Sequence, residues 1–160
     1  RMNGDRYEKF SELPVTKETN PKDAIGIKKP RAYSAVPQNV VREISVGMME
    51  GARKYGRHNY RVAGVRASVY FDATVGHLND WWEGEDVDPD SGLSHVTKAL
   101  CSLVVLRDTM MNDMMTDDRP PPSNVEDTRN KLQQVVDDVW ERHPDSVPAY
   151  THEHTELHKV

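Results

Sequence analysis

Two histidines, His77 and His95, bracket a run of five carboxylates: Glu83, Glu85, Asp86, Asp88 and Asp90. Like charges at that density repel one another, so they need water, a cation or a basic partner to sit together. A calcium loop counted from Asp86 requires Gly at its sixth position and Glu at its twelfth; Ser91 and Thr97 stand there, which excludes it. A solvated turn that also caps the next helix accounts for the charges without any chemistry. The functional alternative is a cation or phosphate site. Glu85 and Asp88 form an E-x-x-D, and His95 would fall in a helical first turn, where the dipole favours the neutral imidazole that binds metal or accepts a proton.

Further carboxylates stand upstream. Asp72 lies in an apolar stretch and needs a partner or a cation if buried, because burying a bare charge is costly. Glu43 and Glu50 share one side of a predicted helix with Gly47 and Lys54. A carboxylate cluster of Glu43, Glu50 and Asp72 between helices would suit Mg²⁺ or Mn²⁺ on oxygen ligands, with nucleotide phosphates completing the shell. His77 stands five residues from Asp72, on a different side of the helix, so the two are not a zinc pair; a core histidine with one partner is the competing reading. Cations collect at Lys22, Lys28, Lys29 and Arg31, and again at Arg53, Lys54, Arg57, Arg61 and Arg66. In an acidic chain such concentrations suit a phosphate chain, although solubilising charge explains each residue singly. Trp81, Trp82, Tyr55 and Tyr60 are available to stack a base or to fill a core.

Four helices must position these groups. The first runs from Pro37 to Gly56 with Val40, Val41, Ile44, Met48, Ala52 and Tyr55 on one side. After a loop, a second spans about Ala67 to Glu83 and is apolar nearly all round, as a central helix would be. Its polar exceptions are Asp72, His77, Asn79 and Asp80. A third begins near Gly92, capped by Asp90 or Ser91. A fourth covers about Val125 to Arg142 behind a capping box from Ser123 to Glu126. The reading is all-α: an extended basic arm over 1–36, a helical core over 37–115, a proline-rich linker over 116–124, and an accessory helix with a disordered tail over 125–160. That tail carries His152, His154 and His158, a weak metal tract in an unstructured setting.

The bulk composition narrows the function. The net charge of −5 argues against a nucleic-acid polymer as partner, and the single Cys101 excludes both a disulfide framework and a multi-cysteine zinc site. Cys101 falls in an apolar helical run, which suits a buried, inert thiol. No membrane span or leader is read, so a soluble cytoplasmic protein is expected. A thin core with two tryptophans on its central helix points to a homodimer or homotetramer.

The blocks NPKDAIGIKKP (20–30), EGARKYGRHNYRVAGVRAS (50–68), YFDA (70–73) and HLNDWWEGEDVDPDSGLSH (77–95) resemble a phage-borne family, the dATP/dGTP diphosphohydrolase N-terminal domain, over roughly residues 18–112. The family name implies kinship with all-α MazG-like nucleotide pyrophosphohydrolases, which release a monophosphate and pyrophosphate using E-x-x-E and E-x-x-D carboxylates on divalent metal. Here Glu43 and Glu50 stand seven apart instead of three, and Glu85 to Asp88 falls in a predicted loop. The resemblance places Asn20, Lys22, Asp23, Glu50, Lys54, Tyr55, Asn59, Asp72, His77, Glu85, Asp88 and His95 at the site. It implies Mg²⁺ or Mn²⁺ on Glu43, Glu50, Asp72, Glu85 and Asp88, with Glu50, Asp72 and His95 catalytic. Asn20, Lys22, Asp23, Lys54, Tyr55, Asn59, His77 and Trp81 would hold the substrate, a purine deoxynucleoside triphosphate in a host-cell cytoplasm. No Gly-rich phosphate loop is present, which argues against a kinase-type enzyme. Two other readings use the same residues. One is a non-catalytic sponge that sequesters a nucleotide immune signal. The other, weaker for want of a His-Asp dipeptide, is an HD-type phosphohydrolase built on His77, Glu85 or Asp86, His95 and Asp108.

Overall fold

The computed structural model describes residues 21–26 and 29–154. Asn20 and His158 lie outside the described residues, as does the side chain of Asp23. The fold is mostly helical: α1 (Pro21–Gly26), a 3-10 turn (Tyr33–Ala35), α2 (Gln38–Tyr55), α3 (Tyr60–Ala63), β1 (Val65–Arg66), α4 (Ala67–Trp82), α5 (His95–Met111), β2 (Met115–Thr116) and α6 (Val125–Arg142). The chain divides into two compact units, Arg1–Arg119 and Pro120–Val160. No described helix is long and apolar enough to cross a membrane.

In the first unit α5 is the central helix, packed against both α4 and α2. Small side chains allow the close approach. Ala67, Ala99, Cys101 and Val105 are buried, and so are Thr74, Thr97 and Thr109. Gly47 is buried where α2 meets α5; a Cβ there would stand 2.6 Å from the Cys101 sulfur. The Cys101 thiol donates to the Ile44 carbonyl at 3.6 Å, and burial pushes its pKa up, as expected for an inert thiol.

Three expectations are corrected here. α4 is not enclosed within the chain: Val69, Phe71 and Trp82 are 56%, 63% and 77% exposed. Asp72 therefore stands in solvent, and the argument that it needs a buried partner falls away. The third helix starts at His95, not near Gly92, with the Ser94 hydroxyl accepting from the Val96 N–H. Residues 86–94 are held back by a turn in which Asp88 accepts from the Ser91 N–H at 3.1 Å, while the Gly92 N–H reaches the Asp88 carbonyl at 2.8 Å. Third, α6 is capped by Asn124, whose Oδ1 accepts from the Asp127 N–H at 3.0 Å, in place of the Ser123 capping box.

The predicted loop before α4 carries a small device. Gly64 turns at φ +72° into β1, which pairs in parallel with β2, Val65 beside Met115 and Arg66 beside Thr116. Arg66 offers α4 no side-chain cap. Asp118 supplies one from across the pair: its carboxylate accepts from the Ser68 N–H at 2.8 Å and from the Ser68 hydroxyl. Those bonds, the hydroxyl's first, hold the Asp118 carboxyl below its usual range. A depressed carboxylate stabilises the fold above its unfolded pKa near 3.8 and loses that contribution as pH falls through the lower folded value. Asp118→Asn is expected to lower the melting temperature at pH 7, with the gap from the parent chain narrowing below about pH 3.8; a pH series of thermal melts checks it.

Candidate active site

Two helical turns bring the polar groups together. His77 and Asp80 stand one turn apart on α4, and His95 and Lys98 one turn apart on α5. Because α4 packs on α5, the two imidazoles meet, Nδ1 to Nδ1 at 2.9 Å. His95 is only 3% exposed. Its Nδ1 lies 4.0 Å from Asp80 Oδ2, and its Nε2 lies 3.8 Å from Glu85 Oε2 without a hydrogen-bond partner among the described residues. Burial lowers the pKa of His77, against the pull of Asp88, so its neutral form is favoured.

Next to this group runs a chain of alternating charge. Glu50 on α2 accepts from the Lys98 ammonium, and its other oxygen lies 2.6 Å from Lys54 Nζ. Lys54 in turn donates to Asp90 at 2.6 Å, on the acidic loop. The Lys54 and Lys98 ammoniums beside it keep the Glu50 carboxyl below its ordinary range, and Asp90 with Glu50 holds the Lys54 ammonium well above its own. Asp88 takes no part in the chain. Burial works to raise its carboxyl, but the hydrogen bonds from Ser91 outweigh that, so it remains a structural anion.

Lys98 also lines a cavity of about 730 Å³ between α2, the 56–60 loop, α4 and α5. Tyr55, Asn59, Tyr60 and Tyr70 contribute aromatic and amide surface, Arg57 a cation, and Met48 and Val105 an apolar floor. Its size and mixed lining suit a small organic ligand such as a nucleoside. Lys98 joins the two halves: it lines the cavity and pairs with Glu50, one helical turn from His95.

The predicted residues are thus redistributed. Tyr55 and Asn59 line the cavity, Glu50 and Lys54 form the charge chain, and His77 and His95 form the imidazole pair. The five carboxylates proposed as one ligand set do not converge. Among the described residues, the group of three or more donors with ligand atoms within 4.8 Å of one another is His77, Asp80 and His95. Glu43 accepts instead from the Thr97 hydroxyl at 2.6 Å, and Glu50 is committed to two lysines. Asp72 and Trp81 line neither the cavity nor the donor group, and Lys22 lies on α1. Asp108, needed by the HD-type arrangement, is held by the Arg61 guanidinium at 2.8 Å. Sequence reasoning passed over Lys98 and noted Asp80 and Asp90 without choosing them as site residues. The signal for two of them was present as the one-turn pairs H-x-x-D (77–80) and H-x-x-K (95–98).

The family model for the dATP/dGTP diphosphohydrolase N-terminal domain matches residues 19–119, which include both helical pairs, the charge chain and the cavity. No curated protein and no solved structure matches the chain. With well over half of its 160 residues inside that match, the chain belongs to the dATP/dGTP diphosphohydrolase N-terminal-domain family.

Proposed function

We propose that the chain is a metal-dependent nucleoside triphosphate pyrophosphohydrolase acting on purine deoxynucleotides, converting dATP or dGTP to the monophosphate and pyrophosphate. The observation that carries this reading is Lys98, which lines a nucleoside-sized cavity and lies one helical turn from His95 of the His77–Asp80–His95 group. The cavity receives base and sugar, with Tyr55, Tyr60 and Tyr70 for stacking and Asn59 for hydrogen bonding. Lys98 and Lys54, held by Glu50 and Asp90, then meet the phosphates. Glu50 on this reading positions two ammoniums and does not bind metal.

The donor set of two imidazoles and one carboxylate fits a divalent cation that accepts nitrogen ligands, Mn²⁺ more readily than Mg²⁺. Held by His77, Asp80 and His95, such an ion would polarise a phosphate oxygen and make water more acidic. Water attacks the α-phosphorus, the bond from it to the bridging oxygen breaks, and pyrophosphate leaves with its charge offset by Lys98 and Lys54. The exposed acidic run at 83–86 receives the water's proton. Apolar side chains left exposed on α4 support self-association of the chain.

Incubation with a panel of dNTPs and NTPs plus Mg²⁺ or Mn²⁺, resolved by ion-exchange chromatography, tests the reaction. Monophosphate and pyrophosphate in equal amounts are expected from dATP and dGTP. Nucleotides recovered intact overturn the reading, and intact nucleotide retained on the protein replaces it with a sponge.

A further inference from the structure

We infer that His77, Asp80 and His95 hold a resident first-row transition-metal dication, bound in the absence of nucleotide and selected over Mg²⁺ by its two imidazole ligands. This deepens the function proposed above and rests on it only for the claim that the ion serves the phosphates. Two observations carry the site itself. The first is the spacing of the donors. Metal–imidazole bonds of about 2.0–2.1 Å put neighbouring nitrogens about 2.9 Å apart at a right angle and about 3.4 Å apart in a tetrahedron. The His77 and His95 Nδ1 atoms stand 2.9 Å apart, a hydrogen-bond distance at which one ion could replace the shared proton, and an oxygen of Asp80 completes a set within 4.8 Å.

The second is the His95 ring. It is 3% exposed, and its Nε2 has no hydrogen-bond partner among the described residues. A buried polar atom left so is costly. An ion on Nδ1 requires that nitrogen bare, which places the ring proton on Nε2 and aims an N–H at Glu85, 3.8 Å away. Histidine ligands characteristically donate their other N–H to a carboxylate, which fixes the tautomer and raises basicity. Glu85, outside the donor group but the carboxylate facing Nε2, would then close on that N–H as the outer partner of His95. Asp80, 55% exposed, faces water and leaves coordination positions open to a phosphate oxygen.

The ligand types decide the metal. Mg²⁺ prefers oxygen donors and keeps its waters, whereas imidazole nitrogen favours Mn²⁺ through Zn²⁺ in the usual order of affinities.

The full chain, stripped with a chelator, is titrated with Co²⁺ alone and followed by its visible absorption, with circular dichroism as the check on folding. One equivalent is expected to bind with nitrogen-ligand bands, to be displaced by Zn²⁺ and to resist millimolar Mg²⁺. His77→Asn and Asp80→Asn are expected to weaken Co²⁺ at least about a hundredfold, and Glu85→Gln about ten- to a hundredfold. These side chains are less buried than His95, so their loss leaves a folded chain to measure. Affinity unchanged in both folded ligand variants, or displacement by equimolar Mg²⁺, overturns the site. Tight Co²⁺ binding in a chain that leaves every nucleotide intact overturns the pyrophosphohydrolase and keeps the site. Hydrolysis with Mg²⁺ in a chain that binds no Co²⁺ does the reverse.

Discussion

Lys98→Met is expected to lower kcat/KM for dATP or dGTP about a hundredfold or more while the chain still folds. Removing one preorganised donor from a charged transition state costs on the order of 10²–10³ in rate. Among the described residues, Lys98 is the one that both lines the cavity and neutralises Glu50. Methionine keeps most of the stem length, so the wall of the cavity is retained. The variant also strips Glu50 of one of its two cations, leaving Lys54 at 2.6 Å. A double variant separates the two effects: Glu50→Gln together with Lys98→Met removes the half-compensated charge and restores stability, but not activity. Steady-state kinetics beside thermal melts read both. A Lys98→Met chain within about threefold of the parent kcat/KM would remove the phosphates from this end of the cavity.

The largest effect on stability is expected at Gly64. Its φ of +72° and ψ of 178° describe a backbone region essentially confined to glycine. A Cβ there would also stand 2.6 Å from the Met114 carbonyl oxygen, a backbone atom that accepts from the Val65 N–H at 3.1 Å. Strain of about 1–3 kcal/mol adds to that collision, so Gly64→Ala should cost about 3 kcal/mol or more. In a unit of this size the melting temperature falls by more than about 10 °C. Gly76→Ala is the contrast. That glycine lies inside α4 with nothing within 4 Å of an added Cβ, and alanine there stabilises by up to about 1 kcal/mol. If both substitutions moved the melting temperature alike, the turn at Gly64 would not be the constraint described.

How much of this is legible in the sequence depends on whether a residue's partner is local. The extents of α2, α4 and α6 follow from periodicity and from Pro37 and Gly56, because those signals act within a helical turn. The start of α5 does not, because Asp88 ties Ser91 into a turn and so delays the helix to His95. The charge stripe Glu43–Gly47–Glu50–Lys54 is legible as one face of α2. That this face meets α5, through Thr97, Cys101 and Lys98, depends on tertiary packing that no period reveals. The imidazole pair is hidden for the same reason: His77 and His95 are eighteen residues apart, and only the α4–α5 crossing joins them. Asp72 shows the opposite failure. Its apolar neighbours suggest burial, but they are themselves exposed.

The parallel pairing of Val65 with Met115 also governs the order of assembly. It joins residues fifty apart with a pair of two-residue strands, and the closure entropy of so long a loop exceeds what so few backbone bonds return. The α4–α5 hairpin must therefore form first and bring those ends together, as non-local contacts generally wait on local ones. The 56–64 segment, whose residues 56–60 line the cavity, is tied down by that late clasp and by the Arg61–Asp108 pair, both of which need α5 in place. Helix formation and ligand competence are thus separate events on the folding path, and the second trails the first.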